Sequence, residues 1–101
     1  MAKQTFNEML TKSEIPVLVD FHATWCGPCK MMAPVLEKLA SDIHGTAKII
    51  KVDVDKNPEA SAKYQVRSVP TLILFKAGKP VWRESGTVPA SKLKQVIEQF
   101  K

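Results

Sequence analysis

Residues 24–30 read TWCGPCK and hold both cysteines of the chain, Cys26 and Cys29, separated only by Gly27 and Pro28. Two thiols at this spacing can supply half of a metal site, form a structural crosslink, or cycle between dithiol and disulfide. A secreted domain of about this size that relies on disulfides normally carries several bridges, so one close pair reads as redox or metal chemistry. Zinc would need two more ligands, and the histidines are His22 and His44. His22 falls in a predicted strand, while His44 ends a predicted helix about 22 Å beyond Cys29 at roughly 1.5 Å per residue. Structural zinc sites draw their ligand pairs from tight turns, so no metal is expected and the working dithiol is the stronger reading.

Position sharpens it. A strand that ends just before Cys26 and a helix that starts around it place the first thiol at a helix N-terminus, where unpaired N–H groups and the helix dipole favour an anion. Cys26 is then the attacking sulfur, and Cys29, one turn further in and expected to be less exposed, is the resolving one. A lowered thiol pKa contributes only about threefold, because the gain in thiolate is largely offset by lost nucleophilicity. Intramolecular attack by a held second thiol is worth far more. Gly27 and Pro28 shape the site without adding a cation that would favour the reduced form, which argues for a reductant. Asp20 interrupts an apolar strand; a carboxyl buried there has a raised pKa and can move a proton to or from the second thiol. Lys51 on the neighbouring predicted strand either pairs with Asp20 or is a plain surface lysine.

The elements that must hold these groups follow from periodicity. Residues 5–12 carry Phe6, Met9 and Leu10 at helical spacing. Residues 15–22, IPVLVDFH, and 47–54, AKIIKVDV, read as strands covered on both faces. Between them, residues 29–44 show an apolar helical stripe closed by Gly45, with Pro34 predicting a kink. Asn57 is the expected N-cap of a short helix with Pro58 at its first position. Residues 71–75 and 80–85 form a predicted hairpin through residues 76–79, and a terminal helix opened by Pro89 places Leu93, Val96, Ile97 and Phe100 on one face. The expected fold is α/β, a central mixed sheet of four to five strands flanked by helices on both faces, in a single domain over residues 1–101.

Composition excludes more than it selects. The 101 residues are 45% hydrophobic, enough for one core. A net charge of +5 comes from lysines and arginines scattered along the chain, so nucleic acid is not an expected partner. No apolar run approaches the roughly 18 residues of a membrane span, and residues 1–12 lack a signal peptide's apolar core, which predicts a cytoplasmic protein.

With these residues in place, the chain resembles the thioredoxin family over nearly its full length. The resemblance is carried by Val19-Asp20-Phe21, Trp25-Cys26-Gly27-Pro28-Cys29-Lys30, Pro34, the strand 51–55, Val69-Pro70-Thr71, Phe75 with Gly78, and Gly86. It implies a general protein disulfide reductase, monomeric, with no bound cofactor. Its Cys26–Cys29 disulfide would be re-reduced from NADPH by a thioredoxin reductase, and its other partners would be disulfide-containing proteins. It implies proton transfer by Asp20, a cis bond before Pro70 that exposes the Val69 backbone, and a substrate-binding surface of Trp25, Val69, Pro70 and Gly86 around Gly27 and Pro28. Three departures stand out. Only residues 1–4 remain for the family's first edge strand, which is expected to be truncated. His22 replaces the usual aromatic, and Pro89 takes the last helix's N-cap.

Overall fold

The computed structural model describes residues 6–101. Its elements run α1 (Phe6–Lys12), β1 (Val17–His22), α2 (Gly27–Asp42), β2 (Lys48–Asp53), α3 (Pro58–Lys63), β3 (Thr71–Lys76), β4 (Lys79–Ser85) and α4 (Ala90–Phe100). The four strands form one mixed sheet in the order β2-β1-β3-β4, with β1 parallel to β2 and the other pairs antiparallel. The edge strand expected from residues 1–4 lies outside the described residues. Among those described, no helix is long and apolar enough to cross a membrane.

The continuous apolar runs of β1 and β3 have their cause in this order: both strands are central and covered on both faces. Alternation sends Leu18, Leu72 and Leu74 to one face, where they pack with Met32, Leu36 and Leu39 of α2 and Leu93, Val96 and Ile97 of α4. Val17, Val19, Phe21, Ile73 and Phe75 point to the other face, against Leu10 of α1 and, from the α3 segment, Ala60 and Tyr64. Helices therefore flank both faces, as the sequence predicts. The outer strands β2 and β4 are only half covered, and Trp82 of β4 packs against the α2/α4 cluster as a structural aromatic.

Local chemistry sets the ends of these elements. α2 begins two residues earlier than its apolar stripe, at Gly27, because Pro28 suits the first turn, and it runs continuously through Pro34. Pro89 caps α4 as expected, without a side-chain hydrogen bond. Asn57 also occupies the N-cap of α3, but its side chain does not cap. Its amide instead donates to the Asp53 carbonyl, 3.0 Å away, tying the helix to the end of β2.

The hairpin between β3 and β4 turns on Ala77 and Gly78, both with positive φ, +53° and +82°, the mirror-image turn that matches strand twist. A Cβ on Gly78 would lie 2.9 Å from Thr11 Oγ1 and 3.2 Å from Thr11 Cα, so the turn sits directly on α1. Gly78→Ala therefore meets both strain and backbone contact and should lose about 1–3 kcal/mol. Gly27→Ala, with no neighbour within 4 Å of a new Cβ, should stay within about 1 kcal/mol of the parent. Urea denaturation of the two variants checks the contrast.

Candidate active site

β1 ends at His22, and the chain reaches α2 in one tight turn. The Cys26 amide donates to the Ala23 carbonyl at 3.2 Å, which brings Cys26 to the N-cap position with extended backbone, φ −91° and ψ 113°. Its Sγ then accepts from the Cys29 amide at 3.2 Å, the place a serine or aspartate oxygen takes in an ordinary cap. Cys29 follows in the first turn, its Cα 5.3 Å from that of Cys26, and the two are joined in a disulfide. Among the described residues no group of three or more His, Cys, Asp and Glu side chains could hold a metal ion.

The expected difference in exposure is not found. Cys26 is 4% and Cys29 8% exposed, so both are covered and the second slightly less so. The reason is the loop opposite: Ala23, Cys26 and Cys29 form a small cluster packed against Val54 and Val69. Cys26 Sγ lies 3.6 Å from the Val69 carbonyl oxygen.

That loop is held from below. The Val69–Pro70 bond is cis, as the family resemblance implies. Buried Thr71 anchors it, its Oγ1 2.7 Å from the Ser68 carbonyl and 3.1 Å from Ser85 Oγ. The Gly86 amide, at φ +94°, donates to the Pro70 carbonyl at 2.8 Å, so the end of β4 supports the loop from the far side. Trp25 is 70% exposed. It is no core aromatic: it stands over the turn with its Nε1 donating to Asp55 Oδ2 at 2.9 Å. Trp25, Val54, Val66, Arg67, Ser68 and Val69 line a cleft of about 120 Å³ beside Cys26. Gly27 and Pro28 are exposed next to it, as is Met31 one position past Lys30.

The other side of the disulfide is polar. Asp20, His22, Ala23, Thr24, Cys29, Lys30, Ala33 and Lys51 line a cavity of about 300 Å³. Asp20 is 2% exposed and its Oδ1 has no hydrogen-bond partner. Burial pushes its carboxyl above the usual range; the nearby His22 and then Lys51 pull in the opposite direction without overcoming it. Lys51, opposite Asp20 in the β1/β2 register, is exposed and acts on the carboxyl through its field across the cavity. Of the two sequence readings for Lys51, the surface lysine is the closer one.

The sequence reading assembles the cysteines, Asp20 and the Val69–Pro70 loop correctly at one end of the sheet. It misses Asp55, Thr71 and Ser85 as supports. Asp55 has a visible signal in the acidic K-V-D-V-D strand end, where Asp53 Oδ1 also accepts from the amides of Asp55 and Lys56. The Thr71–Ser85 contact depends on strand pairing and has none.

The Thioredoxin family model matches residues 1–99. A thioredoxin of Staphylococcus aureus is 58% identical over 82 residues, which cover 81% of this chain and 79% of that protein. The thioredoxin-like protein slr0233 of Synechocystis sp. is 50% identical over 95 residues, covering 94% of this chain and 90% of that protein. A closed Cys26–Cys29 pair at a helix N-terminus, on a four-stranded mixed sheet with helices on both faces, agrees with these matches: the chain belongs to the thioredoxin family and is a thiol-disulfide oxidoreductase, a protein disulfide reductase.

Proposed function

We propose the following division of labour. In the reduced protein, Cys26 thiolate attacks one sulfur of a substrate disulfide, and the other substrate sulfur leaves as a thiolate that takes a proton from solvent. Cys29 gives its proton to the Asp20 carboxylate and attacks Cys26 Sγ; the remaining substrate sulfur leaves, taking the proton that Asp20 returns, and Cys26–Cys29 closes. Two electrons pass to the substrate and two thiols are released from it. The observation that carries this reading is the asymmetry of the two sulfurs. Cys26 Sγ faces the Val69 carbonyl, and Val69 and Val54, which pack against the cysteine cluster, line the neighbouring cleft, whereas Cys29 lines the cavity that holds a buried carboxyl.

On the Cys26 side, Trp25, Val69, Pro70 and Gly86 dock the substrate, the Val69 backbone pairing with an extended segment and the cleft taking an apolar side chain. Gly27 and Pro28 keep this surface low and uncharged, and Lys51 adds positive potential behind Asp20. Electrons return from NADPH through a thioredoxin reductase. The chain works as a single-domain monomer in the reducing cytoplasm, where a dithiol of this kind is kept open. Its radius of gyration, 12.8 Å, is that of one compact domain, and among the described residues the exposed large apolar side chains, Trp25 and Met31, lie by the dithiol.

Three outcomes test the scheme. In insulin reduction followed by turbidity with dithiothreitol as donor, Cys26→Ser should fall to the rate of dithiothreitol alone. Cys29→Ser should trap covalent substrate adducts visible by mass spectrometry, and normal turnover by that variant would refute a resolving role. A redox titration in glutathione buffers should place the couple below that of glutathione; a more oxidising midpoint would make the protein an oxidant.

Asp20 predicts a trade of stability against rate. The folded carboxyl keeps its proton to higher pH than the unfolded one, so the cost of a buried charge is absent below the ordinary carboxylate range and complete once pH exceeds the raised value. Asp20→Asn should therefore stabilise the protein by about 1–3 kcal/mol at pH 8.5 and far less at pH 4. The same change should slow disulfide resolution about tenfold or more near pH 7. Melting temperatures at the two pH values and single-turnover kinetics read both effects.

A further inference from the structure

His22 departs from the aromatic usual at this position, and the scheme above does not use it. Alternation along β1 puts His22 on the same face as Asp20, two residues away and so roughly 7 Å along the strand. Both line the cavity that also reaches Cys29. His22 is half-buried and Asp20 fully buried, and the exposed Lys30 and Lys51 line the same cavity.

The charged groups facing His22 come from three elements: Asp20 on β1, Lys51 and Asp53 on β2, and Lys30 on α2. Asp53 is His22's register partner, and its Oδ1 is occupied by the amides of Asp55 and Lys56. An ammonium group of ordinary lysine type brings a field that does not change across the physiological range. Histidine is the side chain type that gains and loses charge between about pH 5 and 8. A phenyl or indole ring at this position would fill the same space with no charge at any pH.

We propose that His22 is a positioning residue for proton transfer at Cys29: its imidazolium, sharing the cavity with Asp20, favours the Asp20 carboxylate towards the acidic side of neutrality and keeps the resolving step running there. The inference rests on the reading of Asp20 as proton acceptor for Cys29. It makes the resolving step less sensitive to acid than it would be with a neutral aromatic. The direction follows from the field that opposes Asp20's desolvation, in which His22 stands ahead of Lys51. In the reaction itself the proton still leaves Cys29 for Asp20, and His22 exchanges none with substrate.

The test times the resolving step alone. Reduced protein is mixed with insulin, quenched in acid and alkylated, so that mixed disulfide and closed Cys26–Cys29 are counted separately. The mixed disulfide of His22→Phe should decay about threefold or more slower than wild type at pH 6 and at the same rate at pH 8.5. His22→Lys should restore the pH 6 rate. A ratio of wild type to His22→Phe that is the same at both pH values would mean packing alone and overturn the proposal. The Asp20 carboxyl is titrated by carbon NMR in the reduced proteins, where the midpoint should rise in His22→Phe and return in His22→Lys; an unmoved midpoint also overturns it. A midpoint that moves while resolution rates stay equal at both pH values also overturns the proposal, and does so by removing Asp20 from the reaction, whereas an unmoved midpoint leaves the earlier reading of Asp20 standing and fails only this one. If His22→Phe does not fold, His22→Gln gives the same comparison.

Discussion

Everything at the site depends on one junction, the turn that carries the chain from the end of β1 into the first turn of α2. The first turn of α2 brings together the two sulfurs, three residues apart, and the helix can begin there only if its free amides find acceptors. Cys26 meets both needs: its Sγ accepts from the Cys29 amide while its own amide is held by Ala23. The capping contact and the redox pair are the same two residues. A sulfur in this place is an acceptor at a helix N-terminus, an environment that favours a thiolate over a thiol.

The sheet then gives the two sulfurs different neighbours. β3 and β4 present the Val69–Pro70 loop on one side, supported by Thr71, Ser85 and the Gly86 amide. β1 and β2 present Asp20, His22 and Lys51 on the other. In the proposed scheme, substrate and proton acceptor lie on opposite sides of the two sulfurs, so attack and resolution need not compete for the same space. Asp20 is the cost of this arrangement. A carboxyl buried in a central strand weakens the fold at pH values where it is charged, and the proposed scheme gives that carboxyl its use in proton transfer.

The legibility of the molecule tracks how local its causes are. β1 and β3 are readable because five consecutive buried positions in each leave an apolar run, and α4 because one stripe faces the core. Gly27 and Pro28 announce the start of α2, but the stripe that begins with Cys29 puts it two residues late, since helix ends are set by caps and not by packing. Asn57 shows the limit of residue-type reasoning: it stands at the cap position, yet its amide donates to the Asp53 carbonyl of β2 and its side chain makes no cap hydrogen bond.

The chain's chemistry, the two thiols in one helical turn, the buried carboxyl and the histidine two residues on, was determined by sequence alone, because these relations span few residues and depend on residue type and period. Which sulfur faces which surroundings was decided only by the tertiary structure. The comparable burial of Cys26 and Cys29, Trp25 held by Asp55, and the loop pinned between Thr71 and Ser85 all arise from contacts between segments far apart in the chain. Such contacts exist only once β1, β3 and β4 have paired in register, and no periodicity along one segment encodes them.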